Sequence, residues 1–192
     1  GLDRMRSAGK ALAGVELAII DADGKPLAPG EVGEIATRSG SNMVGYWNLP
    51  EASAKTLQSD GWLRTGDAGY MDKDGFIFIK DRIKDMILSG SENVYPAEIE
   101  AVLASHPDIV ECAVIGIPDK KWGETVKAVV VKRQGSTLTE ATLIEWARDK
   151  MAGFKRPRSV DFIDKLPRNA SGKLLKRTLR EPYWQGLQRR VN

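Results

Sequence analysis

Two short polar segments contain residues that could do chemistry. In RTGDAG, Asp67 follows a glycine at the end of a strand-like segment. A carboxylate in that position can accept two hydrogen bonds from a vicinal diol such as a ribose. In LPRNASGK, Lys173 follows Ser-Gly in a loop that begins with proline, so a long flexible cation there can reach a phosphate and stabilise charge on its oxygens. Each motif alone is weak, because Gly-Asp also occurs in ordinary turns and most surface lysines have no function.

Several common kinds of site are excluded. The Lys173 segment is not a P-loop, because Pro167 occupies the position of the first glycine in GxxxxGK[ST] and Leu174 replaces Ser or Thr. The segments DADG and DKDG are predicted turns, since no glutamate closes a calcium loop. One cysteine and one histidine are too few for a zinc site. Cys112, within IVECAVIGI, is predicted to be a core thiol, and His106 a residue at a helix end.

The composition is that of a globular protein. The chain has 192 residues, of which 42% are hydrophobic and 29% charged, enough for one domain or two small ones. No apolar run approaches the roughly 20 residues of a transmembrane segment, and the first ten residues lack the apolar core of a signal peptide. The sequence therefore predicts a cytoplasmic protein. It begins with Gly1 rather than Met, so we expect a piece of a longer protein.

The net charge of +3 hides an asymmetry between the two ends of the chain. Twelve basic and three acidic residues lie from Lys150 onward, which gives +9 there and −6 upstream. A basic end indicates either a solvated face or an anionic partner. Nucleic acid is a competing interpretation, but the segment interleaves few aromatic residues and shows no recognition-helix pattern. We therefore expect no nucleic acid partner.

The pattern of elements predicts two regions. Up to about residue 80 the chain reads as strands and turns, with a short polar helix at 50–57 and an Asp-Gly hairpin signal before FIFI. From Pro96 onward it reads as a helix (96–106), two strands (109–117 and 125–133), a second helix (139–151), a strand (159–164), a polar loop and a basic helical tail. This order predicts a compact α+β unit.

A charged segment separates the two regions. Five of the six residues from Lys80 to Asp85 are charged, and unpaired charges resist burial in either core. We interpret the segment as a linker and predict domains at 1–83 and 84–192. A turn at the edge of a sheet is the alternative interpretation of the same residues.

Five segments in order carry a resemblance to a known family. These are GYWNLPEASAKTL, GWLRTGDAGYMDKDGF, KDRIKDMILSGSENVYPAEIEAVL, KWGETVKAVVV and FKRPRSVDFIDKLPRNASGKLLKR. Together they resemble the C-terminal part of an adenylate-forming acyl-CoA synthetase, most closely of the fatty-acid CoA ligase branch. The resemblance covers about residues 11–179. It implies a β-rich remnant of a large N-terminal domain, a hinge and a mobile α+β C-terminal domain.

The resemblance also implies the reaction. A carboxylate attacks the α-phosphate of ATP, which gives an acyl-adenylate and pyrophosphate, and the thiol of coenzyme A then displaces AMP. ATP and coenzyme A are the implied substrates, and the Mg²⁺ expected with ATP would have its ligands outside this chain. The implied partner is the missing N-terminal domain, so the chain alone is predicted to be inactive.

Four residues of this sequence match positions of known roles in the family. The resemblance implies that Asp67 holds the ribose hydroxyls of ATP and that Arg82 assists at the same ribose. Lys84 would be the hinge, since its charged head can remain solvated while its backbone dihedrals change. Lys173 would contact the carboxylate and the α-phosphate during adenylation.

A second set is implied for coenzyme A. Gly90 would line the pantetheine tunnel, where a missing side chain permits close backbone approach. Trp122 and Phe154 resemble aromatic residues that pack on coenzyme A, and Arg156 and Arg158 resemble cations near its phosphates.

The sequence departs from the family pattern at two positions and leaves alternatives open. Ser91 stands where the branch often has a second glycine, and Asp81 replaces a glycine before Arg82. One alternative is another adenylate-forming enzyme, such as an aryl-CoA ligase or a carrier-loading adenylation domain. Another is a non-catalytic module that binds anions through the basic end.

Overall fold

The computed structural model describes residues 2–189, so Arg190 of the basic end lies outside the described residues. The chain divides into two compact units, one up to Ile83 and the other from Lys84. We call them unit 1 and unit 2.

Unit 1 is built on one antiparallel sheet. Its main elements are β1 (Glu16–Ile20), β2 (Gly33–Arg38), α1 (Pro50–Thr56), β3 (Leu63–Met71) and β4 (Ile77–Arg82). The strands lie in chain order, β1-β2-β3-β4. A small core of buried isoleucines, Ile19, Ile35 and Ile77, holds the sheet's inner face. Alternating apolar residues and Asp-Gly turns are sufficient to specify such a meander, because each strand pairs with its sequence neighbour.

Unit 2 is a mixed sheet with helices. Its elements are β5 (Ile87–Ser89), β6 (Glu92–Val94), α2 (Pro96–Leu103), β7 (Ile109–Asp119), β8 (Gly123–Lys132), α3 (Glu140–Trp146), β9 (Ser159–Phe162) and α4 (Lys176–Arg180). The strand order is β6-β5-β8-β7, and β9 pairs in parallel with β8. Strand β8 is central and is buried along most of its length, which explains its continuous run of Val and Ala.

Both faces of this sheet are covered. On one face Ile99 and Leu103 of α2 and Leu143 of α3 form a core with Val114 and Val130. On the other face a second cluster forms around Ala113, Ile115, Val129 and Leu166, and the partly buried side chains of Leu174, Leu179 and Tyr183 pack against it. The C-terminal segment therefore acts as the cover of one sheet face, in place of a long helix.

The predicted α+β organisation is confirmed, with corrections at particular elements. Strand β6, which was not predicted, forms a hairpin with β5. Two helices are shorter than predicted, since α2 ends at Leu103 and α3 at Trp146. In the basic tail, α4 is followed directly by a 3-10 helix at Glu181–Tyr183. None of the helices in residues 2–189 has the length and apolar content needed to cross a bilayer.

Candidate functional site

Asp67 and Arg82 meet in unit 1. They are direct cross-strand partners on β3 and β4, and Arg82 Nε lies 2.9 Å from Asp67 Oδ1. The two side chains are 47% and 30% exposed, so the pair lies at the surface and contributes little to stability. The pair is accessible, and the carboxylate retains acceptor sites for a further donor.

A β-bulge creates this pairing. Ala68 pairs with Asp81 and Gly69 with Ile79, so Lys80 is the extra residue on β4. In a regular register without the bulge, Lys80 would pair with Ala68 and Asp81 would lie opposite Asp67. Like charges directly opposite each other are destabilising. The extra residue shifts Arg82 into that position instead. The bulge therefore brings together the two residues that the sequence analysis assigned to the ribose.

The backbone before Asp67 is fixed by side chains. Thr65 Oγ1 accepts a hydrogen bond from the Asp67 N–H at 3.1 Å and donates to the Ile35 carbonyl at 2.7 Å. The N–H of Gly66, at φ +74°, donates to Glu34 Oε1 at 3.0 Å. A glycine adopts this left-handed conformation without steric cost. These contacts hold the Asp67 carboxylate in place on the strand.

Lys173 lies in unit 2 at the end of a tight turn. Asn169 Oδ1 accepts hydrogen bonds from the Lys173 N–H at 2.8 Å and the Ser171 N–H at 3.1 Å. The Lys173 carbonyl accepts from the Asn169 N–H at 3.0 Å. Arg168 Nη1 donates to the Gly172 carbonyl and Arg168 Nη2 to Glu111. The backbone of Lys173 is thus fixed, although its side chain is exposed.

Lys173 differs from much of the basic end in having no carboxylate partner among residues 2–189. Six other basic residues from Lys150 onward form ion pairs within unit 2: Lys155, Arg168, Lys176, Arg177, Arg180 and Arg189. Internal pairing therefore involves six of the twelve basic residues at this end of the chain. The charge available to an external anion is smaller than the sequence indicates.

Gly90 and Trp122 are in contact. The Gly90 N–H donates to the Trp122 carbonyl at 2.7 Å. Gly90 has φ +66°, and a Cβ at this position would lie 3.2 Å from Trp122 Cε3. Both the backbone conformation and the close approach therefore require glycine. Trp122 remains 40% exposed, and Lys121 Nζ lies 4.6 Å from the centroid of its ring.

The remaining residues assigned to coenzyme A lie around the segment that leads into β9. Phe154 is 40% exposed, Arg156 is half-buried and Arg158 is exposed. The Arg158 N–H donates to the Val126 carbonyl on β8 at 2.8 Å. Trp122 immediately precedes β8, and Val126 lies within that strand. The structure thus joins Gly90 to Trp122 directly and places the Arg158 backbone beside β8.

The sequence analysis missed the contacts made by Arg180 and Arg189. It counted both only as members of a basic end, whereas their guanidinium groups bond the carbonyl of Lys84. The two arginines lie 96 and 105 residues from Lys84 in sequence. No local pattern indicates contacts at such a separation.

A polar cluster joins the C-terminal segment to the sheet. Lys127 Nζ, nearly buried, lies 2.6 Å from Asp161 Oδ1, and Tyr183 donates its hydroxyl hydrogen to Asp161 Oδ2. Burial opposes ionisation of Asp161, but the hydrogen bonds from Lys127 and Tyr183 outweigh it and lower the pKa of that carboxyl. Burial and then Asp161 raise the pKa of Tyr183 to about 12. Near neutral pH the Asp161 carboxyl is therefore ionised and the Tyr183 hydroxyl is protonated.

Cys112 is half-buried at the edge of the core formed with α2 and α3. Burial, followed by the negative charge of Glu100, raises the pKa of its thiol to about 11. A thiol with that pKa stays protonated and is a poor nucleophile. His106 lies just after α2, where its Nδ1 accepts the Asp108 N–H at 3.1 Å and its ring meets Trp146 edge-on.

Within residues 2–189, no group of three or more His, Cys, Asp or Glu side chains could hold a metal ion. No ligand for Mg²⁺ is therefore assigned in this part of the chain.

Comparison with known proteins places these features in a family. Residues 98–173 match the model of the AMP-binding enzyme C-terminal domain, and residues 2–47 match that of the AMP-binding enzyme. Together the two matches cover more than half of the chain.

Similar proteins are ligases several times larger than this chain. The fatty acid–[acyl-carrier-protein] ligase ScoC of Streptomyces coeruleorubidus is 49% identical over 98% of this chain and 36% of its own length. The 2-succinylbenzoate–CoA ligase of Geobacillus kaustophilus is 48% identical over 93% of this chain and 36% of its own.

A solved ligase structure is also similar to this chain over most of the chain's length. The o-succinylbenzoate CoA synthetase of Bacillus subtilis, in complex with its acyl-adenylate intermediate, superposes with a TM-score of 0.85 at 41% identity, over 93% of this chain and 36% of that one. This chain thus spans about a third of the length of the relatives it matches. The chain belongs to the AMP-binding enzyme family and contains that family's C-terminal domain.

Proposed function

We propose that the chain is the C-terminal part of an ATP-dependent ligase that activates a carboxylic acid as its acyl-adenylate and transfers the acyl group to a thiol. Unit 1 is then the last β-rich subdomain of the adenylation domain, and unit 2 is the mobile C-terminal domain. The missing N-terminal part of the same protein completes the site. A cytoplasmic location belongs to the same proposal, since ATP is drawn from that compartment.

The first half-reaction assigns roles to residues of both units. Asp67 accepts hydrogen bonds from the ribose hydroxyls of ATP, with Arg82 bonded beside it. Lys173 donates hydrogen bonds to the substrate carboxylate and to an oxygen of the α-phosphate, and so offsets the repulsion between two anions. The carboxylate oxygen attacks the α-phosphorus, and pyrophosphate leaves with the electrons of the broken P–O bond.

The second half-reaction uses a different set of residues in unit 2. Rotation about Lys84 withdraws Lys173 and presents Gly90 and Trp122 to the acyl-adenylate. The thiol of coenzyme A attacks the acyl carbon, and AMP leaves. Phe154, Arg156 and Arg158 hold the coenzyme A nucleotide by stacking and charge.

The observation that carries this proposal is the condition of Lys173. Its backbone makes two hydrogen bonds with Asn169, and Arg168 donates to the carbonyl of the preceding Gly172. Its ammonium is exposed and has no ion-pair partner among the described residues. A positioned, uncompensated cation is what stabilisation of a developing negative charge requires. The internal pairing of six other cations disfavours the alternative of a general anion-binding module.

The acyl acceptor has two candidates among relatives. ScoC is named for an acyl-carrier protein, and the Geobacillus relative for coenzyme A. Phe154, Arg156 and Arg158 favour coenzyme A, because both acceptors present a pantetheine arm but only coenzyme A adds a nucleotide that these residues could bind. The acyl group itself is bound outside this chain.

The test is Lys173→Gln in the longer protein that contains this chain. We expect adenylation, measured by pyrophosphate exchange, to fall about 10²- to 10³-fold, while thioester formation from a supplied acyl-adenylate changes little. Lys165→Gln is the matched control, because Lys165 is also exposed and lies in the same region. Equal losses in both half-reactions would refute the role of Lys173. The 192-residue chain alone should show no exchange activity.

A further inference from the structure

The C-terminal segment holds the Lys84–Asp85 peptide in unit 2. Arg189 Nη1 donates to the Lys84 carbonyl at 2.7 Å, and Arg180 Nη1 donates to the same oxygen at 3.3 Å. Arg189 Nη2 donates to the Met86 carbonyl at 2.6 Å. Two guanidinium groups from the far end of the chain thus converge on one backbone oxygen.

Both arginines are themselves fixed by buried carboxylates. Arg180 lies 2.8 Å from Asp85 Oδ1, with the two side chains 12% and 14% exposed. Arg189 lies 3.0 Å from Glu124 Oε2, with the two side chains 12% and 4% exposed. Charge-assisted hydrogen bonds are strong in such a water-poor setting, and the planar fork of arginine can bind two acceptors at once.

The segment between the arginines is also attached. The indole N–H of Trp184 donates to the Gly116 carbonyl on β7 at 2.9 Å. The arginines therefore reach Lys84 from a segment that is bonded to the sheet of unit 2.

The pair formed by Arg189 and Glu124 is poorly suited to a purely stabilising role. Within residues 2–189, Arg189 Nε and Glu124 Oε1 are buried and have no hydrogen-bond partner. A buried ion pair with unsatisfied atoms is often no more stable than an apolar replacement. Its geometric effect on Lys84 and Met86 is the more informative feature.

The position of the held oxygen has a mechanical consequence. The carbonyl of Lys84 lies beyond the N–Cα and Cα–C bonds of that residue, so fixing it to unit 2 leaves both bonds free to rotate. The bonds of Asp85 and Met86 are downstream and are held. The part of the backbone that is held by unit 2 therefore begins at the Lys84 carbonyl.

We propose that Arg180 and Arg189 are positioning residues that confine the hinge to the backbone dihedrals of Lys84 and of residues before it. This inference rests on the proposed function, in which Lys84 is the hinge. A hinge with few rotatable backbone bonds allows unit 2 a small number of orientations, whereas a longer hinge allows it many. The arginines thus raise the population of both productive orientations.

The first experiment measures the anchor itself in the 192-residue chain. Limited proteolysis with trypsin, read by mass spectrometry, compares cleavage after Lys84 with cleavage after Lys121, an exposed site in the turn after β7. We expect Arg180→Lys/Arg189→Lys to be cut after Lys84 about 10-fold faster relative to Lys121. Lysine keeps the positive charge and the trypsin site at each position, but it lacks the planar guanidinium group that donates to two acceptors at once.

The matched control is Arg177→Lys, in the same helix. Arg177 is 84% exposed and pairs only with Glu181, so its cleavage ratio should not change. General destabilisation would raise cleavage at both sites and leave the ratio unchanged. If the double variant fails to fold, Arg180→Lys alone provides the same comparison. An unchanged ratio in a folded variant would overturn the proposal.

The second experiment measures both half-reactions in the longer protein. Freeing one or two residues of backbone should lower kcat of adenylation and of thioester formation together, by about 5- to 30-fold, with KM for ATP unchanged. If a variant is cut faster by trypsin after Lys84 but keeps its kcat in both half-reactions, the proposed role of the two arginines is wrong. That result would leave the proposed function intact. A wild-type protein that performs neither half-reaction would instead refute the proposed function.

Discussion

Substitution of Gly90 by alanine tests the contact between Gly90 and Trp122. Gly90 has φ +66°, and the added Cβ would lie 3.2 Å from the Trp122 ring. The left-handed backbone conformation costs a residue with a Cβ about 1 to 2 kcal/mol. Displacement of the Trp122 ring should add about 1 kcal/mol, the lower end of the cost of overpacking.

A matched substitution separates these two costs. Gly135, also in unit 2, has φ +79°, but a Cβ there would meet nothing within 4 Å. Gly135→Ala should therefore carry the backbone cost alone. Urea denaturation of the 192-residue chain should show a larger loss of unfolding free energy for Gly90→Ala, by about 1 kcal/mol.

The same pair of variants tests function in the longer protein. We expect Gly90→Ala to raise KM for coenzyme A and to leave adenylation unchanged, because only the second half-reaction uses this surface. Gly135→Ala should affect neither half-reaction. If the two variants lose equal stability, or if Gly90→Ala impairs adenylation as much as thioester formation, the assigned role of this contact is wrong.

Two further predictions follow from pKa shifts in unit 2. Because burial and Glu100 raise the pKa of Cys112 to about 11, alkylation by iodoacetamide at pH 8 should be about 100-fold slower than that of a free small thiol, and should become fast in urea; fast alkylation of the folded chain would contradict the shift. The pKa of Tyr183 is raised from 10.0 to about 12, so its proton stabilises the folded state below pH 10 and that contribution is lost as the pH rises toward 12. Urea midpoints of the wild type and Tyr183→Phe should therefore converge as the pH rises from 10 toward 12, and a constant difference would show that Tyr183 does not titrate as described.

The sequence was sufficient for features that depend on near neighbours. Asp-Gly turns between apolar segments predicted hairpin turns in unit 1, and the run of valines after Thr125 predicted a strand. Pro96 marked the start of α2. Each of these depends on local backbone preferences or on the alternation of side chains, which a short window of sequence contains. The resemblance assigned Asp67 and Lys173 because their motifs are short and continuous.

The tertiary structure decided how these residues are arranged. The bulge at Lys80 places Arg82, rather than Asp81, opposite Asp67, and strand register depends on the whole sheet. The pairing of Arg189 with Glu124, and the convergence of Arg180 and Arg189 on Lys84, join residues that are 65 to 105 positions apart. Such contacts form only after the sheet of unit 2 has brought together distant parts of the chain. No local pattern of charges could therefore distinguish Arg180 and Arg189 from Lys173, which has no ion pair among the described residues.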